Sequence, residues 1–130
     1  MREILFRGKG LYDGEWVKGT MYQMGIDLNP FIMPIDKHGA SYEVDPSTVG
    51  QFIGLTDKNG KKIFEGDVVK FTRFNALGYA TRRTGDVRYY EKLPVFYIMA
   101  TTGDAWDWCD CEDIEVIGNI YDNPELLRAE

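Results

Sequence analysis

Apolar and polar positions alternate along this chain in short runs, each cut off by glycine, proline or asparagine. Ile4 and Phe6 alternate with polar neighbours, and Asp13-Gly14 supplies the positive-φ chemistry of a tight turn. Residues 16–22 then return, with Trp16, Val17, Met21 and Tyr22 as their bulky positions, which predicts an N-terminal hairpin. Residues 24–41 hold Gly25, Pro30, Pro34 and Gly39 and no lasting period. They read as a long irregular connection held down by Phe31, Ile32 and Met33. Residues 42–44 read as a short strand, Asp45-Pro46 as the cap and first position of a single helical turn, and residues 51–55 as a strand.

The stretch GLTDKNGKKIFEGDVVKF, residues 54–71, is the densest in turn signals. Asn59-Gly60 predicts a two-residue hairpin turn, with residues 61–64 pairing back. Gly66 and Asp67 then redirect the chain into a strand begun by Val68, Val69 and Phe71. The stretch thus reads as a hinge between an N-terminal β-unit, residues 1–66, and a C-terminal unit, residues 67–130, within one globule. In the second unit residues 74–84 read as a loop, and residues 85–91, 95–101 and 113–119 as strands. The fold class expected is mainly β: a hairpin unit joined to a small SH3-like barrel. A short C-terminal helix follows, with Asn123 as its N-cap and Pro124 at its first position.

Length and composition fit this picture. A chain of 130 residues, 44% hydrophobic, is long enough to bury a core of one domain or two small units. No apolar run approaches the about 18 residues of a membrane span, and the N-terminus lacks the pattern of a secretory leader, so a cytoplasmic protein is expected. Cys109 and Cys111 are the only cysteines and read as reduced thiols. One such pair with the single histidine, His38, falls short of a zinc site, so no metal and no cofactor are expected.

Charge changes the picture more. The net charge is −6, yet residues 58–92 carry nine basic and four acidic side chains, and residues 93–130 carry one basic and nine acidic. In the basic segment Lys70, Arg73, Arg82, Arg83 and Arg88 interleave with aromatic residues that include Tyr79, a composition suited to single-stranded nucleic acid. The competing expectation is that these arginines face the acidic strand nearby. The acidic segment GDAWDWCDCEDIE sets Trp106 and Trp108 on one strand face beside Asp107 and Asp110; it reads first as a solvated acidic rim, with a surface that docks a protein partner as the alternative that exposed tryptophans would favour. Its carboxylates do not follow a calcium-loop spacing. Catalytic chemistry is thin: His38 lies in the irregular connection, no glycine-rich phosphate loop is present, and no small-molecule substrate is identifiable. Glu65 and Asp67 flank Gly66 as turn residues rather than as an acid–base pair.

Three stretches resemble the YopX-like family of phage and prophage proteins: MREILFRGKGLYDGEWVKG, VDPSTVGQFIGLTDKNGKKIFEGDVVKF and IEVIGNIYDNPELL. The resemblance implies a β-rich accessory phage protein of the host cytoplasm and supplies no catalytic residues. It agrees with Asn59, Gly60, Gly66 and Asp67 as structural turn residues. The leading expectation is a non-enzymatic binding or assembly module that contacts protein partners or its own copies. A nucleic-acid-binding module is the alternative, and a metal-dependent enzyme ranks third.

Overall fold

The computed structural model describes residues 2–34 and 39–128. The chain is mainly β, with two antiparallel sheets and two compact units, Met1–Gly54 and Leu55–Glu130.

In the first unit β1 (Phe6–Lys9) pairs on one side with β2 (Trp16–Met24) and on the other with β5 (Gly50–Thr56). The turn between β1 and β2 forms where expected: Gly14 has φ +69°, and the Asp13 carboxylate accepts the Glu15 N–H at 3.0 Å. The inward face differs from expectation. Leu5 and Arg7 are buried while Ile4 is 64% exposed, so the pleat runs one residue out of step with the reading from Ile4 and Phe6.

Residues 24–41 are not simply irregular. A turn at Gly25–Leu28, closed by Leu28 N–H on the Gly25 carbonyl at 3.2 Å, leads into β3 (Asn29–Pro34), which pairs along β2 from Met24↔Asn29 to Gly19↔Pro34. Proline has no N–H to give a sheet, but its carbonyl still accepts, and the Pro30 carbonyl takes the Val44 N–H at 3.0 Å. Tyr22 stacks on Phe31 with ring centroids 5.7 Å apart. The two-residue β4 (Tyr42–Glu43) closes this side of the sheet. A 3-10 turn, Pro46–Thr48, follows as its capping sequence predicts, with the Asp45 carboxylate accepting the Ser47 N–H. His38 lies outside the described residues.

In the second unit the end of β5 meets β6 (Lys62–Phe64). The connecting loop is not the expected two-residue turn. Asp57 N–H bonds to Lys61 O at 2.7 Å and Gly60 N–H to Asp57 O at 3.0 Å. Gly60 has φ +81°, and Asn59 is not among the positive-φ residues, which makes this a three-residue loop with glycine at the left-handed position. After the Gly66 turn (φ +88°) come β7 (Asp67–Phe74), β8 (Ala80–Tyr90), β9 (Val95–Ala100), β10 (Ala105–Trp106) and β11 (Glu112–Asn119), in the sheet order β10-β9-β8-β7-β11. Val68, Val69, Phe71, Val87 and Ile98 form its buried apolar positions.

This sheet is open, which corrects the expected SH3-like barrel. Among the described residues β10 is two residues long and pairs with β9, and β11 pairs with β7 through two register irregularities, so no strand pair closes the ring. The loop expected over residues 74–84 shrinks to residues 75–79, where the Asn75 side-chain oxygen accepts the N–H groups of Leu77 and Tyr79. Residues 80–84 belong to β8, paired with β7 from Phe74↔Ala80 to Lys70↔Thr84. The C-terminal helix is only a 3-10 turn, Pro124–Leu127. Asn123 does not cap it; its side-chain oxygen turns back to accept the Asn119 N–H at 3.3 Å.

Candidate functional site

The turn residues behave as structural pieces. The Asp67 carboxylate is buried and accepts the Phe64 N–H at 2.7 Å. Gly66 donates to Val87 O and accepts from Ile120 N–H, and a Cβ on it would lie 3.0 Å from the Tyr121 ring.

The β8–β9–β10 adjacency builds an apolar groove. Val95, Tyr97 and Met99 recur at every second position of β9, and so face one way. Tyr90 pairs with Val95 and Ala105 with Met99 across the neighbouring strands, which extends that face on both sides. Tyr90 meets Tyr97 edge-on at 6.4 Å. With Leu93, Trp106, Asp107 and Asp110 these residues line an open groove of about 510 Å³. Leu93 is 63% exposed, Tyr90 45% and Val95 40%, so the groove presents apolar surface to solvent.

The Trp106 ring is fixed from two directions. Its indole N–H donates to Asp104 at 2.7 Å, and the Arg73 guanidinium sits 3.6 Å from the ring centroid. The Thr102 hydroxyl holds the Asp104 carboxyl below its ordinary value; burial opposes that shift and the Trp106 N–H adds to it. Trp108 is placed differently from expectation. It opens a 3-10 turn, Trp108–Asp110, rather than sharing a strand with Trp106, and its indole N–H is taken by the Phe96 carbonyl at 2.9 Å. The pair of tryptophans therefore does not form one docking face: Trp106 lines the groove, and Trp108 braces the turn that carries Asp110.

Ligand atoms of Asp107, Cys109 and Asp110, all exposed, lie within 4.8 Å of one another, a grouping not anticipated from the CxC spacing. Cys111 is buried beside them, and burial pushes its thiol up to about 11, with the nearby Asp110 carboxylate adding to the shift.

The basic residues divide. Arg73 covers Trp106, and Arg88 is drawn to Asp86, with Nε 2.8 Å from the carboxylate; that hydrogen bond raises its own pKa. Arg82 reaches the Asp113 carboxylate at 3.4 Å and Glu115 at 3.8 Å, the acidic-strand pairing weighed above. Lys70, Arg82 and Arg83 also line a second groove, of about 380 Å³, together with Thr84, Thr101, Thr102 and Arg128. Tyr79 stands apart on the β7–β8 loop, 68% exposed. Among the described residues no helix is long and apolar enough to cross a membrane.

Comparison with known proteins places these features in a family frame. The family model described as YopX protein matches residues 5–128. No curated protein matches the chain. Among solved structures, the crystal structure of protein EF1440 from Enterococcus faecalis is similar, with a TM-score of 0.55 and 24% sequence identity over 98% of this chain and 100% of that one. At that identity the likeness speaks for the fold alone.

Proposed function

The chain belongs to the YopX protein family, and from that premise we propose that it is a non-enzymatic binding module that docks a protein segment in the groove of the second unit. The observation that carries this reading is the conjunction, in one lining, of the exposed apolar side chains Tyr90, Leu93 and Val95 and the half-buried Trp106 with the carboxylates of Asp107 and Asp110. Apolar anchors supply affinity and the charges supply register, so the fitting occupant is a segment with a Leu or Phe side chain followed by Lys or Arg. Trp106 suits an anchor wall because its ring is already oriented by Asp104 and Arg73, so little side-chain freedom is lost on binding. A partner protein fits better than a second copy. Every copy carries a net charge of −6, so copies repel one another while a basic partner segment is attracted to the groove. The setting that goes with this reading is the host cytoplasm, as an accessory phage protein.

The test is a tryptophan-fluorescence titration with short peptides carrying Phe or Leu beside Arg or Lys, against the same peptides with Glu in place of the cation. The reading expects saturable binding of the basic set, lost in Leu93→Asp and weakened in Asp107→Asn with Asp110→Asn. Equal binding of both sets, or binding indifferent to Leu93→Asp, refutes it.

A further inference from the structure

A second surface, on β7 and β8, is independent of the apolar groove. Lys70, Thr72 and Phe74 occupy alternate positions of β7 and so share a face; opposite them in register lie Thr84, Arg82 and Ala80 of β8. Thr101 is brought alongside by its N–H bond to Thr84 O at 2.9 Å, and Arg128 adds a cation from beyond the last 3-10 turn. The groove so formed is lined by Lys70, Arg82, Arg83 and Arg128 with three threonines and Leu126, and among the described residues no acidic side chain lines it. Further along the same face of β7, Phe74 is 50% exposed.

We infer that this face binds single-stranded nucleic acid, with phosphates held by Lys70, Arg82 and Arg128 and a base stacked on Phe74. The chemistry is complementary: guanidinium, ammonium and hydroxyl groups donate to phosphate oxygens, and an exposed ring beside them accepts the flat face of any base. Phe74 and Lys70 are four residues apart, about 13 Å at roughly 3.3 Å per residue, a span that a single phosphate does not fill and a short strand does. The Arg82 pairs with Asp113 and Glu115 do not block the site. Arg82 Nη1 donates to the Asp113 carbonyl at 2.6 Å and the Thr72 hydroxyl at 3.0 Å, which fixes the guanidinium, while its Nη2 meets Glu115 only at 3.8 Å in a pair one-third exposed, so a phosphate competes for that edge. Those same carboxylates set one bank of the path: a strand that follows the cations is repelled from β11, and the second backbone of a duplex has no row of its own. The cations neutralise phosphates and release counterions, so the binding falls with salt, while the net charge of −6 opposes it elsewhere on the surface.

The experiment is fluorescence anisotropy of a labelled oligothymidine and of a duplex of equal length, at low and moderate salt, with inorganic phosphate and thymidine monophosphate as competitors. The expected result is saturable binding of the single strand that falls with salt, with the duplex weaker and neither small competitor displacing it at equal concentration. Arg82→Ala and Arg128→Ala each lower the salt slope by about 1. Phe74→Ala weakens binding roughly tenfold with the slope unchanged, which separates stacking from charge. Leu93→Asp, in the other groove, leaves this binding intact. Arg128→Ala lies outside the sheet, so it keeps the test valid if a strand variant misfolds. No binding at low salt, equal binding of duplex, displacement by phosphate alone, or indifference to Arg82→Ala and Arg128→Ala together overturns the inference.

Discussion

Asp57 is the residue whose loss the structure makes most quantitative. Its side chain is 7% exposed and accepts three backbone N–H bonds, each at 2.9 Å: Asn59 and Lys61 on one oxygen, Val116 on the other. One carboxylate thus shapes the loop between β5 and β6 and fastens it to β11. A hydrogen bond to a charged acceptor contributes about 1.5–3 kcal/mol. The Asn59 and Lys61 groups sit at an exposed loop and regain water when the carboxylate is removed, while the Val116 N–H is partly buried. Asp57→Ala is therefore expected to cost about 3 kcal/mol, and Asp57→Asn, which keeps an oxygen for the loop but turns an NH₂ toward Val116, about 2 kcal/mol. With a urea dependence of about 2 kcal/mol per molar, the midpoints fall by about 1.5 M and 1 M. Urea unfolding followed by tryptophan fluorescence measures this, and amide exchange at Val116 locates it. The pH dependence gives a second handle. Burial resists ionisation of Asp57, but the Val116, Lys61 and Asn59 N–H groups and the Lys61 charge outweigh it, and the carboxyl lies below its ordinary 3.8. A carboxyl lowered on folding stabilises above its unfolded value and loses that contribution as pH falls through the folded one. The gap between wild type and Asp57→Asn should hold from pH 7 to about pH 5 and close below about pH 4. A gap under about 0.5 kcal/mol at pH 7, or one that persists unchanged into acid, would show that this carboxylate is not the tie described.

Other expectations follow from single positions. Gly66→Ala places a Cβ at φ +88° and 3.0 Å from the Tyr121 ring, so it should cost about 2 kcal/mol, whereas Gly14→Ala, at φ +69° with open space around it, should cost about 1 kcal/mol; thermal melts of the two variants rank them. Equal losses would remove the role given to Tyr121. Cys111, raised to about 11 from an ordinary 9.0, holds roughly 100-fold less thiolate near pH 8 than an ordinary thiol. Alkylation followed by mass spectrometry should therefore show exposed Cys109 modified first, and Cys111 only on unfolding.

Local chemistry made part of this fold legible. Asp13-Gly14, Asp45-Pro46 and Gly66 announce their turns because the φ or the cap each needs is met by few residue types. β3 stayed hidden because Pro30 and Pro34 look like breakers; only the pairing with β2, and the use of Pro30 through its carbonyl, shows that they fit. The start of β8 is polar, ATRRT, and becomes strand through its partner β7 rather than by its own pattern. The barrel failed as an expectation because closure depends on β10 and β11 meeting, which strand count does not decide. Trp106, Asp107 and Asp110 could be marked from composition. The rest of that groove could not, since Tyr90, Leu93, Val95, Tyr97 and Met99 come together only through the β8–β9 register.

The tie from Asp57 and Lys58 to β11 also bears on aggregation. β11 is the longer of the two outer strands of its sheet, and an outer strand with free backbone groups invites a foreign strand to add on. Here the Ile114 carbonyl is occupied by the Lys58 N–H at 2.8 Å and the Val116 N–H by Asp57, while the register irregularities bend what remains. The opposite outer strand, β10, offers only two residues. The sheet is thus guarded at both margins against edge-to-edge growth.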